Sequence, residues 1–153
     1  MKFNSKKIID SIIFNLYKVL WHLFLPIALL YFFYRSIKEP GYASDLSERF
    51  GFYKKDLKGA CWCHAVSLGE IRAARPLFKK LLLNGEKLLI TTLTLSGKNA
   101  AQLEYRKEIK AGKVLIIYAP LEITLFFKGF LSRFKPKCCI ILECDLWPVM
   151  ITS

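Results

Sequence analysis

Acidic residues are scarce in this 153-residue chain: 12 Asp and Glu stand against 24 Lys and Arg, leaving a formal charge of +12. That deficit excludes an acidic, solvating chain and makes the folded surface positive, attractive to nucleic acid, anionic lipid or phosphorylated substrates. Glycine and proline are also few, at 8 and 6, which excludes a collagen-like or low-complexity chain. No internal repeat is visible. The five cysteines are odd in number and bunched at Cys61, Cys63, Cys138, Cys139 and Cys144, against a disulfide framework and for a reducing compartment. Cys61-Trp62-Cys63-His64 has a one-residue spacer and no second regularly spaced Cys/His pair, so buried thiols are expected there and no metal.

Apolar residues are abundant, at 54%, and unevenly spread. Residues 19–34 are almost continuously hydrophobic within a helical stretch over 8–34, interrupted by Lys18, His22 and Pro26. The strictly apolar part is about 16 residues, at the short edge of what crosses hydrocarbon. Tyr17, Trp21, Tyr31 and Tyr34 are rings of the kind that settle at the lipid–water boundary. A cleaved signal peptide is disfavoured, because the run ends in Phe32-Phe33-Tyr34-Arg35 and not in small residues. A buried core helix is the plainer competitor. Lys6 and Lys7 before the run and Arg35 and Lys38 after it leave the orientation open. Residues 1–38 therefore read as a membrane anchor, spanning or interfacial, and 39–59 as a polar connector with a short helix over 44–50. About 110–120 residues remain for a soluble core, enough for one small domain.

From residue 60 the pattern becomes short β-rich runs alternating with helical ones. Strands are expected over 60–65, 87–92, 113–118 and 137–143. Helices are expected over 70–83, 97–107 and 122–133, with another opening near Pro148. That alternation means βαβ units and a parallel sheet with helices on both faces, an α/β domain over 60–153. The apolar runs 114–117 and 138–142 fit strands buried on both faces. All four strand-to-helix segments then leave along one edge, where such folds bind ligands. They contain Val66-Ser67-Leu68-Gly69-Glu70, Leu93-Thr94-Leu95-Ser96-Gly97, Ala119-Pro120-Leu121-Glu122 and Cys144-Asp145-Leu146-Trp147-Pro148.

Glu70 opens a helix after a glycine. It is either a first-turn acid favoured by the helix dipole or a general base on the binding edge. Glu143 and Asp145, beside Trp147, form either a sugar-binding group or a solvated strand end. His64 reads as a core or rim histidine. Ser96-Gly97-Lys98-Asn99 departs from the phosphate-loop pattern at Thr92 and Asn99 and is rejected as one. Arg72, Arg75, Lys79 and Lys80 line one side of the Glu70 helix, as a solubilising face or a contact for anionic headgroups. No aromatic-rich RNA-binding signature is present, and no nucleic-acid partner is expected.

Five blocks in this order resemble a known family: Arg49-Phe50-Gly51; His64-Ala65-Val66-Ser67-Leu68-Gly69-Glu70; Arg75-Pro76; Thr91-Thr92-Leu93-Thr94 with Gly97; and Glu143-Cys144-Asp145-Leu146-Trp147-Pro148. Together they resemble the amino-terminal half of bacterial 3-deoxy-D-manno-octulosonic acid (Kdo) transferase. The resemblance implies a Rossmann-like half of a GT-B fold behind a membrane anchor, at the cytoplasmic face of the inner membrane. It implies an inverting transfer of Kdo from CMP-Kdo to the lipid A precursor lipid IVA, in lipopolysaccharide synthesis, without cofactor or metal. Glu70 is then the catalytic base and Glu143 an assisting acid. Ser67, Gly69, Arg72, Thr94, Asp145 and Trp147 are the acceptor-binding candidates, and anionic lipid is a further partner. Asp145 stands where the family commonly has Glu, and Glu122 where it has Asp. The donor-binding half is absent from these residues, so the chain alone is expected to be inactive. Two other readings stay open: a truncated, non-catalytic, membrane-associated lipid-binding protein, and a GT-B enzyme for another nucleotide sugar.

Overall fold

The computed structural model of the chain describes residues 5–143 and 147–153. Four short strands, β1 (Cys61–His64), β2 (Leu88–Thr92), β3 (Val114–Tyr118) and β4 (Cys138–Ile141), form one parallel sheet in the order β3-β2-β1-β4. The register aligns Cys63 with Ile90 on one side and Ile140 on the other. The chain winds outward from β1 through β2 to β3, then crosses back to place β4 against the other side of β1. Strand order thus reverses between β1 and β4, the kind of crevice where open α/β sheets take ligands.

Right-handed crossovers put the helices on opposite faces when the winding direction reverses. Accordingly α3 (Leu68–Ala73), α4 (Arg75–Leu83), α5 (Leu95–Glu104) and α6 (Arg106–Lys110) pack Ile71, Phe78, Ala101 and Tyr105 on Cys61, Cys63, Leu88, Ile90 and Ile116. On the other face α7 (Thr124–Phe134) and α8 (Pro148–Thr152) pack Phe127, Phe130, Phe134 and Val149 on Trp62, Leu89 and Ile117. The alternation of strand side chains supplies both cores.

Some boundaries differ from the sequence-based expectation. The helix over 70–83 is two, because Pro76 cannot donate to the carbonyl a turn earlier, and the break falls at Ala74. The helix over 97–107 starts at Leu95, capped by Thr94, and breaks at Tyr105. Residues 44–50 give only a 3₁₀ turn, Leu46–Phe50. β3 is buried throughout, as expected, but β4 is not. Cys138 and Cys139 are exposed and Ile140 and Ile141 half-buried, because among the described residues β4 has β1 as its one neighbour.

The apolar N-terminal run is a 34-residue helix, α1 (Ser5–Lys38), followed by the single turn α2 (Pro40–Ala43). Its stretch Asp10–Lys38 is long and apolar enough to cross a membrane. Yet Phe14, Tyr17, Trp21, Leu25, Ala28, Phe32 and Arg35 are sheltered at spacings of three and four, one stripe of the helix. Phe14 and Tyr17 pack on the α7–α8 core, and Phe32 packs on Tyr42 and Phe50. The opposite face leaves Ile13, Leu16, Leu20, Leu23, Phe24, Ile27 and Leu30 exposed.

Candidate functional site

The carboxyl ends of the strands meet in two adjoining clusters. The first is a bonded turn after β1. Ser67 is the N-cap of α3, and its Oγ accepts from the Glu70 backbone N–H at 3.4 Å. The Glu70 carboxylate reaches back, accepting from Val66 N at 2.7 Å, Ser67 N at 3.1 Å and the Ser67 hydroxyl at 2.8 Å. This is a capping box, which satisfies otherwise orphaned amides at the helix start. Its acid is only 5% exposed. Thr92 Oγ1 donates to Val66 O at 2.8 Å, and Thr94 Oγ1 accepts from Gly97 N at 3.1 Å. Gly97 is required there, because a Cβ would sit 2.8 Å from both Thr92 Oγ1 and Thr94 Oγ1.

The second cluster is a cavity of about 140 Å³ lined by segments following every strand: His64 from β1, Leu93 after β2, 119–122 after β3, and Trp147 and Met150 after β4. Trp21 of α1, Arg49 of the connector and Phe127 of α7 complete the wall. The convergence expected of a parallel sheet is therefore real, and α1 takes part in it. Trp21 and Trp147 meet with ring centroids 5.8 Å apart and planes tilted by 50°. His64 is buried, with Nδ1 2.8 Å from Thr91 Oγ1, which also accepts from Trp62 Nε1 at 2.8 Å.

Glu122 is the carboxylate of this cavity. It is buried and accepts from the backbone N–H groups of Val149 at 2.8 Å and Met150 at 2.9 Å, and from the Tyr17 hydroxyl at 3.1 Å. Burial raises its pKa, and the two amides and Tyr17 partly offset that. Arg49, also buried, donates to Leu93 O at 2.7 Å and lies 4.0 Å from the Tyr118 ring centroid, while its backbone O accepts from Leu121 N. Beside it Lys98 pairs with Glu48 at 2.6 Å and Asp45 at 3.0 Å, and Glu48 also accepts from Tyr118 N. These contacts fasten the connector to the sheet edge. Leu93 joins the two clusters, since its N–H donates to Val66 O and its carbonyl holds Arg49.

The sequence-derived candidates divide between these clusters. Glu70, Ser67 and Thr94 belong to the bonded turn. Gly69 and Arg72 are exposed on α3. Glu143, exposed, follows β4 on the same sheet edge, with a left-handed φ of 65°. Trp147 lines the cavity, and Asp145 lies outside the described residues. Neither Glu70 nor Glu143 lines the cavity; Glu122 does. The sequence reading passed over Glu122, Arg49, Tyr17 and Trp21 as site residues. The partners that bring them to the cavity lie 27 to 126 positions away, and no local spacing encodes such contacts. Among the described residues no group of three or more His, Cys, Asp or Glu could hold a metal ion.

The family described as 3-deoxy-D-manno-octulosonic-acid transferase matches residues 44–153. A 3-deoxy-D-manno-octulosonic acid transferase of Haemophilus influenzae is 32% identical over 132 residues, covering 82% of this chain and 30% of the relative. A probable mitochondrial 3-deoxy-D-manno-octulosonic acid transferase of Arabidopsis thaliana is 32% identical over 145 residues, covering 92% of this chain and 31% of that protein. For the Bordetella pertussis transferase the figures are 33% over 97 residues, 63% and 23%. The chain thus spans about a third or less of the relatives it matches, and it belongs to the Kdo transferase family.

Proposed function

We propose that these residues form the acceptor-binding part of a Kdo glycosyltransferase that moves Kdo from CMP-Kdo to a lipid A precursor such as lipid IVA. The observation that carries this is the cavity where all four strand ends converge, walled on one side by Trp21 of an apolar helix. A molecule with a sugar headgroup and acyl chains matches both features, its sugar against Trp147 and Trp21 and its chains along the exposed face of α1. Because α1 is sheltered along one stripe from Phe14 to Arg35, it lies against the domain. Its outward apolar face enters one leaflet in the manner of an interfacial helix. The cytoplasmic face of the inner membrane is the site this reading assigns.

In the proposed reaction an acceptor hydroxyl attacks the anomeric carbon of CMP-Kdo as CMP leaves, with inversion. Glu70 takes the hydroxyl proton. Its Oε1 already accepts two hydrogen bonds and Oε2 one, so Oε2 keeps the spare lone pair to which this reading assigns the proton. The capping box gives the carboxylate a fixed direction, which is what a base working at one hydroxyl requires. Glu143 supports the same centre from the end of β4. This reading assigns donor binding to the part of the relatives that the chain does not span.

The test is transfer of radiolabelled Kdo from CMP-Kdo to lipid IVA. The 153 residues alone are expected to bind the lipid without turnover, and the same residues joined to a donor-binding half are expected to transfer. Turnover by the chain alone would contradict the division of labour. Binding that survives in Glu70→Gln while transfer is lost in the joined protein separates the enzyme from a lipid-binding protein, for which Glu70→Gln changes nothing.

A further inference from the structure

We propose that Cys61 and Cys138 are a redox modification site, closing to an intramolecular disulfide between β1 and β4 on exposure to a small-molecule disulfide such as oxidised glutathione. The two residues face each other in register at the first position of each strand. Their sulfurs are 2.9 Å apart, so bond formation requires a shortening of about 0.9 Å. Neighbouring strands lie about 4.8 Å apart, inside the Cα span of about 4.4–6.8 Å that a disulfide bridges.

The pairing excludes the alternatives among the described cysteines. Cys63 lies two residues along on the same face and is opposite Ile140, not a cysteine. Its thiol is buried and directed at the Cys61 carbonyl at 4.0 Å. Cys139 is opposite Trp62 and, next in sequence to Cys138, points to the other side of the sheet. One exposed thiol and one buried thiol remain in contact, at Cys138 and Cys61.

That asymmetry gives the order of events. The Cys138 thiolate attacks one sulfur of the oxidised glutathione, and the other half leaves as a thiolate that takes up a proton. Cys61 then loses its proton and attacks the Cys138 sulfur, expelling the second glutathione. Two protein thiols and one oxidised glutathione become one protein disulfide and two glutathione thiols. In the reduced chain burial and the neighbouring Cys138 thiol push the Cys61 thiol up to about 11, which, with its burial, keeps Cys61 from being the first to attack. The bond would close a loop across 77 positions and fasten the exposed strand β4 to the centre of the sheet. It sits at the end of the strands away from His64 and the cavity, so it leaves the candidate site in place.

The experiment incubates the 153-residue chain with graded ratios of oxidised to reduced glutathione, blocks free thiols with N-ethylmaleimide, and reads intact mass and digested peptides. The expected result is loss of two blocked thiols, a cross-linked peptide containing Cys61 and Cys138, and reversal by dithiothreitol. Cys138→Ser, an exposed position that leaves the core alone, abolishes the cross-link, and Cys139→Ser retains it. The thermal midpoint of the oxidised wild type rises, while that of Cys138→Ser does not respond to the buffer. A glutathione adduct that persists on Cys138, a Cys138–Cys139 link, or a cross-link between two chains would each overturn the proposal.

Discussion

Tyr17 of the N-terminal helix donates its hydroxyl to Glu122 across 105 positions of sequence, at 3.1 Å. The same carboxylate holds the first amides of the helix that follows Trp147. One buried acid therefore couples α1 to the last segment of the cavity wall. Tyr17→Phe keeps the ring and removes the donor, with an expected loss of about 1 kcal/mol. Hydrogen exchange at Val149 and Met150 should quicken in the variant. Unchanged protection at those two amides would mean that α1 does not support α8.

Glu122 also sets a pH dependence. Its native pKa lies above the ordinary carboxylate value, so between the two the folded state holds more protons than the unfolded one. This group therefore makes stability fall as pH rises from its ordinary value through the native one. In urea titrations at stepped pH, Glu122→Gln should gain on the wild type across that window and stay level beyond it. A difference constant with pH would contradict the assignment.

Gly97 is predicted to tolerate no side chain. The added Cβ of Gly97→Ala meets two threonine hydroxyls at 2.8 Å and the Ser67 carbonyl carbon at 3.3 Å. The hydroxyls belong to short, bonded side chains that cannot swing away. A loss of about 1–3 kcal/mol is expected from chemical denaturation, in the range for overpacked interiors.

Lys98 tests the fastening of the connector. Its side chain is 4% exposed and its ammonium serves both Asp45 and Glu48, the latter 13% exposed and pushed to a raised pKa by desolvation. Lys98→Met fills similar volume but strands the Glu48 carboxylate, so a loss of about 3–5 kcal/mol is expected at neutral pH. Glu48→Gln added to Lys98→Met should recover part of it, because no buried charge is then left without a partner. Double-mutant denaturation reads the recovery directly.

Much of the fold was legible because it rests on short-range patterns. The alternation of apolar strands and amphipathic helices located all four strands to within a residue or two, and parallel pairing followed from their spacing. Ser67 and Glu70, three residues apart, carry the capping-box signature on their face, so the turn that holds the acid is a local matter. The cavity was less legible. Glu122 caps no part of its own helix but the amides of residues 149 and 150, and Trp21 finds Trp147 only after the chain has crossed the sheet four times. The burial of β4 was misjudged for a related reason: Cys138-Cys139-Ile140-Ile141 is apolar enough for an interior strand, and only strand order shows which strands have a single neighbour.

Equilibrium binding of lipid IVA to the 153-residue chain in detergent, followed by tryptophan fluorescence, tests the proposed acceptor site most directly. The account predicts saturable quenching as the sugar reaches Trp21 and Trp147, weakened about tenfold or more in Trp147→Ala, a loss of roughly 1.4 kcal/mol or more, and retained in Glu70→Gln. Absence of saturable binding, or equal affinity in Trp147→Ala, would contradict it.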